Sequence, residues 1–393
     1  MKATPLATHS PRAVRDALRS HGWEPGLADA AAGGMAPGAF HLAGLDDSSL
    51  EALVRFAGQL GLEVATGDGW ALLAGSRSRL SAFARPWTVP EALREASVAV
   101  GLAMPGEPAS EWRTARGPLR LDRPVIMGIL NVTPDSFSDG RTGESTPSAI
   151  ARAEALADAG ASIIDIGGES TRPGRTAVVP AEEESRRVLP VIEALVRERP
   201  DLLLSIDTTK AAVAVAAVDA GCAIVNDVSG LRFDAALGPA VARLGAGLVV
   251  MHSRGGPLEI SSLEHATYED PVADVLAELS ASIGVAAAAG VPAEAMAIDP
   301  GLGFAKTAAQ NILLSDQLSA FLSLGRPLLV GPSRKRYIGA ATGRAVGERD
   351  TGTAAACALA WERGARLFRV HDVAGARDAL MLAHAFGGSA LPT

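Results

Sequence analysis

Cysteine is nearly absent from this sequence: two residues in 393, Cys222 and Cys357, each in apolar surroundings and far from the other. That gives no basis for a disulfide framework, and no Cys/His spacing matches a structural zinc site. A basic excess is missing too. Against 36 Lys and Arg stand 44 Asp and Glu, a net charge of −8 that argues against a nucleic-acid surface. The N-terminus lacks the basic-then-apolar layout of a signal peptide, and no apolar run reaches membrane-spanning length. The expectation is a cytoplasmic protein with buried, reduced thiols and neither nucleic acid nor membrane as a partner. What the chain has is core material: 48% hydrophobic and 20% charged residues, enough for two domains or one large α/β domain with an extension.

Composition changes near residue 105. Residues 1–105 read as a small α+β extension. A helix is expected over 11–20 and a strand over 40–45. A helix over 47–60 is capped by Asp46 or Asp47, and a hairpin of 62–65 and 70–73 turns at Thr66-Gly67-Asp68-Gly69. Helical patterns follow over 76–83 and 90–103. His9, His21 and His41 are isolated, so no site is read here. Met104-Pro105-Gly106-Glu107-Pro108 is a linker.

Over 111–393 the rhythm becomes regular. Apolar, β-branched runs fall at 125–130, 163–168, 202–207, 224–228, 247–252, 297–300, 327–331 and 367–371. Ala-rich amphipathic segments such as 148–159, 181–196, 210–220 and 271–289 lie between them. Eight strands alternating with helices predict a (β/α)8 TIM barrel, with a hairpin over 112–121 closing its floor. The rival, a doubly wound sheet, would call for a G-x-G-x-x-G first turn that this chain lacks.

Each run empties into polar residues. The first ends in Asn131 and a loop containing Thr133, Pro134, Asp135, Ser136, Phe137, Ser138 and Asp139; the second in Glu169-Ser170-Thr171-Arg172-Pro173. Later runs deliver Asp207-Thr208, Asn226-Asp227, His252, Asp299, Ser333-Arg334-Lys335-Arg336 and Arg369-Val370-His371. Some of these carboxylates and hydroxyls, Thr208 and Asp234 among them, are explained by helix capping. The set as a whole is not, because burying Asp207, Asn226, Asp299 and Lys335 together without partners would cost several kcal/mol. Asp207, Asn226, Asp299 and Lys335 suit a flat, nitrogen-rich heterocycle: carboxylates accept paired N–H bonds, an amide gives and accepts, and a lysine bonds a ring carbonyl. Arg369, His371 and Asn131 suit an anion, with or without a metal ion. No nucleophile–base pair of the triad type is present.

These segments carry a resemblance. Asn131-Val-Thr-Pro-Asp-Ser-Phe-Ser-Asp139, Gly168-Glu-Ser-Thr-Arg-Pro-Gly174, Ser205-Ile-Asp-Thr208, Asn226-Asp-Val228, Asp299-Pro-Gly-Leu-Gly-Phe304, Ser333-Arg-Lys335 and Arg369-Val-His-Asp372 occur in the order found in dihydropteroate synthases. The chain from about 111 onward therefore resembles the folate-pathway family that sulfonamides inhibit. The resemblance implies condensation of 6-hydroxymethyl-7,8-dihydropterin diphosphate with p-aminobenzoate. By position, Asp207, Asn226, Asp299 and Lys335 would hold the pterin, and Arg369 and His371 the diphosphate, with Asn131 on Mg2+. The first two loops, with Phe137, Asp139, Thr171, Arg172 and Pro173, would fold over the p-aminobenzoate pocket. The implied mechanism is dissociative and the implied assembly a homodimer.

Three departures stand out. Arg336 replaces a Ser of some members at the position facing the p-aminobenzoate carboxylate, Arg141 follows Gly140 where a second Gly is common, and Leu302 replaces a common Phe. Two other readings share the pterin residues. A corrinoid-dependent methyltransferase would not need Arg369 and His371, and a non-catalytic paralogue would not need intact first and second loops.

Overall fold

Asp46 starts the first helix of the extension as the spacing predicts, its Oδ1 accepting the Ser49 N–H at 2.7 Å. The structure, a computed structural model, describes residues 2–5, 39–85, 88–104, 108–132, 146–170 and 177–386. They form two compact units, Met1–Pro105 and Gly106–Thr393. The helix expected over 11–20 lies outside the described residues. The first unit contains β1 (Lys2–Pro5), β2 (Ala39–Ala43), α1 (Asp47–Leu60), β3 (Glu63–Gly67), β4 (Trp70–Ala74), α2 (Arg77–Phe83) and α3 (Arg94–Ala103). Its strands pair antiparallel in the order β1-β2-β4-β3. Phe40, Leu42, Leu53, Leu73, Phe83 and Val100 build its own core.

The second unit opens with the hairpin β5 (Glu111–Thr114) and β6 (Gly117–Arg120). Strands and helices then alternate: β7 (Val125–Asn131), α4 (Thr146–Asp158), β8 (Ile163–Gly167), α5 (Ala181–Glu198), β9 (Leu203–Asp207), α6 (Ala211–Asp219), β10 (Ile224–Asp227), α7 (Leu237–Leu244), β11 (Gly247–Met251) and α8 (Pro271–Ala288). They continue with β12 (Met296–Asp299), α9 (Ala308–Asp316), β13 (Leu329–Val330), α10 (Arg336–Thr342), α11 (Asp350–Glu362), β14 (Leu367–Val370) and α12 (Val373–Phe386). Strands β7 to β14 form one parallel eight-stranded sheet. A bridge between Ile298 and Leu328 joins its two edges, so the sheet is the expected (β/α)8 barrel. The seventh strand is shorter than its apolar run: Pro327 has no N–H to give to the ladder, although its carbonyl accepts the Ile298 N–H (2.9 Å) at the closure.

Trp112 of the hairpin is fully buried under the barrel, and its indole N–H donates to the Ala295 carbonyl at 2.9 Å. It seals a layer of Val125, Met127, Ile163, Ile224, Val249, Leu329 and Leu367 at the N-terminal end of the strands. The alternate residues, including Ile126, Ile164, Leu204, Val225 and Phe368, pack outward against the helices. Residues of the sealed layer's parity, farther along each strand, therefore point into the barrel. That parity carries Asn131, Asp165, Asp207, Asn226, Asp299 and Arg369.

One helix bears on the expectation that no apolar run reaches membrane-spanning length. The 18-residue α8 has a mean hydropathy of 1.4, long and apolar enough by length and composition to cross a membrane. Its place in the fold explains the pattern. Val272, Val275, Leu279 and Ala286 of the helix are buried, while Glu278 pairs with Arg254 on the loop after β11.

Candidate active site

A cavity of about 460 Å3 opens at the C-terminal end of the barrel strands. Asn131, Asp207, Asn226, Asp299, Lys335, Arg336, Arg369 and His371 all line it. Phe137, Asp139, Thr171, Arg172 and Pro173 lie outside the described residues. Register explains the first convergence: Asn131 pairs with Gly167, Gly167 with Asp207, and Asp207 with Asn226, which sets these side chains side by side. A Cβ on Gly167 would stand 3.5 Å from the Asp207 Cβ and 3.7 Å from Asn131 Oδ1, so its hydrogen keeps the wall open between them.

The floor is a charge network with a member that the sequence reading did not select. Asp165, in the middle of β8, has no exposed surface. Its Oδ2 accepts from Asn226 Nδ2 at 2.9 Å and from Arg369 Nε at 2.6 Å. A second guanidinium nitrogen of Arg369 reaches Asp207 Oδ2 at 2.6 Å. Burial pushes the Asp207 carboxyl upward, against the pull of Arg369 and with that of Asp165. A lone carboxylate inside the run Ile163-Ile164-Asp165-Ile166 was the available signal, since burying an unpaired charge there is prohibitive.

Asp299 accepts the Gly301 N–H on Oδ1 at 2.7 Å, and burial raises its pKa to about 6. The segment after it is bent by positive φ at Gly301 (68°), Gly303 (86°) and Ala305 (46°). At Gly301 a Cβ would fall 1.9 Å from the His252 carbonyl oxygen, which only glycine tolerates. A second buried lysine, also unselected, holds this turn. Lys306 Nζ donates to the Gly301 and Phe304 carbonyls, each at 3.1 Å, and lies 2.9 Å from His252 Nδ1. The turn delivers Phe304, whose ring centroid lies 3.8 Å beneath Lys335 Nζ. Burial and the nearby Arg369 lower Lys335 to about 8.

Lys335 precedes α10, and its neighbours are pinned by ions. Arg334, at φ 57°, grips Asp350 through Nε and a terminal nitrogen at 2.7 and 2.8 Å. Arg349 donates to the Arg334 carbonyl at 3.1 Å, and Arg336 reaches the Ser261 carbonyl at 3.3 Å. Ser333 Oγ accepts the His371 backbone N–H at 3.1 Å and meets His371 Nδ1 at 2.9 Å. This pair of contacts fixes the plane and position of the His371 ring at the cavity wall. At the base of the second loop, Lys210 bridges Glu169 and the fully buried Glu184, and Glu169 Oε1 accepts the Val179 N–H at 3.2 Å. Asp234 is a cap, taking the N–H groups of Ala211 and Ala236 at 2.7 and 2.9 Å.

The family described as pterin binding enzyme matches residues 127–371. A dihydropteroate synthase of Synechocystis sp. is 46% identical over 252 residues, covering 64% of this chain and 86% of that protein. A Xanthomonas albilineans dihydropteroate synthase with 4-aminobenzoic acid superposes with a TM-score of 0.66 at 47% identity, covering 72% of this chain and all (100%) of that one. The Xanthomonas albilineans enzyme in complex with 7,8-dihydropteroate gives 0.64 at 44% identity, over 71% and 100%.

Proposed function

The chain belongs to the dihydropteroate synthase family of pterin-binding transferases, and from that premise we propose that it condenses 6-hydroxymethyl-7,8-dihydropterin diphosphate with p-aminobenzoate to give 7,8-dihydropteroate and diphosphate. The observation that carries this reading is the division of one cavity into two chemistries. Asp207, Asn226, Asp299 and Lys335 present acceptors and donors for a heterocycle edge, while Arg369 and His371 present donors for an anion.

The carbon–oxygen bond to diphosphate breaks first, and the leaving group takes the electron pair. Arg369 and His371 stabilise the charge that develops there. The resulting cation is delocalised into the pterin, whose edge Asp207, Asn226 and Asp299 hold and whose carbonyl Lys335 bonds. The aniline nitrogen of p-aminobenzoate then forms the new bond to the methylene carbon, and its proton passes to solvent. Arg336 would receive the p-aminobenzoate carboxylate, a role its planar fork suits. Positioning and electrostatics account for the whole rate in this scheme.

Among the described residues no group of three His, Cys, Asp or Glu side chains could hold a metal ion. Asn131 offers one neutral oxygen donor on the cavity wall, which fits Mg2+, an ion that takes few protein ligands and completes its shell with phosphate and water. Bound beside Asn131, Mg2+ would neutralise diphosphate charge. The reading includes a homodimer. Its support is the apolar outer face of α9 and α11, where exposed Ile312 and Leu359 border a cleft of about 310 Å3. Sedimentation velocity tests it.

The direct test is diphosphate release with dihydropterin diphosphate and Mg2+, with and without p-aminobenzoate. Release that depends on p-aminobenzoate and is lost in Arg172→Ala is expected. Pterin binding without any release would sink the reading in favour of a non-catalytic paralogue.

A further inference from the structure

Arg369 uses its nitrogens unequally. Nε is bonded to Asp165, which is sealed from solvent with 0% of its side chain exposed, whereas the terminal nitrogen is bonded to Asp207, 12% exposed and on the cavity wall. The first contact lies too deep for a ligand to reach. The second occupies an oxygen of a carboxylate that the functional reading above assigns to the pterin. An incoming pterin N–H aimed at Asp207 Oδ2 must compete with the guanidinium. A diphosphate oxygen aimed at Arg369 competes with Asp207 for the same nitrogen.

We propose that Asp165 is a positioning residue that holds Arg369 by Nε as a pivot, so that its terminal nitrogen exchanges between Asp207 and the diphosphate of the bound substrate. The inference rests on the functional reading of this cavity. Three features support it. Asp165 serves Asn226 and Arg369 through the single oxygen Oδ2, while its Oδ1 has no hydrogen-bond partner among the described residues, so acceptor capacity remains as the guanidinium turns. Asp165 sits one interior layer below Asp207, paired in register with Ser205, and cannot touch a ligand itself. Arg369 pairs in register with Met127 of β7, the strand that lies between β14 and β8, so its guanidinium spans that strand to be held by Asp165.

The exchange has a thermodynamic consequence. Diphosphate that draws Arg369 away from Asp207 frees an acceptor for the pterin, and by linkage the pterin loosens Arg369 for diphosphate. The two halves of the substrate are thus coupled through one side chain, and an intact substrate benefits from both contacts at once. A carboxylate that merely filled the barrel interior would produce no such coupling.

The test uses the full chain and two separate probes, 6-hydroxymethylpterin and inorganic diphosphate, with Mg2+ present throughout. Calorimetric titration of the pterin should give a Kd lowered about 5-fold or more when diphosphate is saturating. This arm needs no variant. Asp165→Asn, which keeps shape and a neutral acceptor, should bring that factor close to one. With the Asp165 charge gone, Arg369 settles on Asp207, the other carboxylate it is hydrogen-bonded to, and diphosphate no longer draws it off. A wild-type factor of one overturns the pivot, as does an Asp165→Asn protein that loses thermal stability yet keeps the wild-type factor. If the pterin does not bind under either condition, the functional reading fails and the pivot with it.

Discussion

Lys306 Nζ and His252 Nδ1 lie 2.9 Å apart, with the lysine 1% and the histidine 4% exposed. The imidazole must be the acceptor, so its Nε2 carries the proton that Glu278 receives at 3.0 Å. Burial, with Lys306 beside it, pushes His252 down to about 4, and burial lowers Lys306 to about 7. The contact therefore holds the Asp299–Phe304 turn without a charged histidine near neutrality.

Lys306→Met should leave a folded barrel whose pterin affinity drops about 10-fold, the effect of losing roughly 1.4 kcal/mol of preorganisation in that turn. The pH dependence is a second readout. A lysine whose folded pKa is lowered binds fewer protons in the folded than in the unfolded state between about 7 and its ordinary value of 10.5, so stability rises with pH across that window. Denaturant titrations at pH 7 and pH 9.5 should show a larger rise in the wild type than in the variant, where the buried Lys335, lowered to about 8, still contributes. Equal slopes would remove the role assigned to Lys306.

Asp299→Asn should trade function for stability. The carboxyl is raised from 3.8 to about 6, so the folded state binds more protons than the unfolded in that interval and loses stability as pH rises through it. The deficit persists at pH 8, where the amide should recover about 1–3 kcal/mol while still accepting the Gly301 N–H. Pterin binding should weaken at the same time, and wild-type pterin affinity should fall as pH drops below about 6. A variant with unchanged affinity would take Asp299 out of the pterin site.

Lys210→Met strands two carboxylates, one of them in a side chain with no exposed surface. Removing one partner of a buried ion pair costs about 3–5 kcal/mol. Combining Lys210→Met with Glu184→Gln should recover part of that loss, because the buried charge is gone. Calorimetric unfolding of the four proteins in the cycle measures it, and strict additivity would deny the coupling.

Deleting residues 1–105 should leave a folded barrel. The floor plug, Trp112, belongs to the barrel's own hairpin, and the extension's core of Phe40, Leu53 and Phe83 is built within residues of its own unit. Circular dichroism and a cooperative thermal transition on residues 106–393 check this. An insoluble or uncooperative product would mean that the barrel needs the extension.

Much of the fold was legible because its causes are local. Apolar runs of strand length, Ala-rich helical segments and the cap at Asp46 are set by residues a few positions apart. The polar residues closing each run were equally plain, and the eight described residues assigned from sequence to substrate or Mg2+ all line one cavity. The 18-residue α8 passes a membrane criterion by length and composition alone, because hydropathy counts Ala and Val alike whether they face a sheet or solvent.

The sequence alone determined that this chain is a barrel presenting polar chemistry at its strand ends, since periodicity and composition suffice for that. Tertiary structure decided which buried charges meet. Asp165 and Arg369 are 204 residues apart, and Lys306 and His252 are 54 apart. No spacing rule links such pairs. They come together because strand parity turns Asp165 and Arg369 toward the barrel axis, and because closure between Ile298 and Leu328 brings the strands into one ring. The stability of a buried charge depends on the partner found there, and only the closed barrel supplies it.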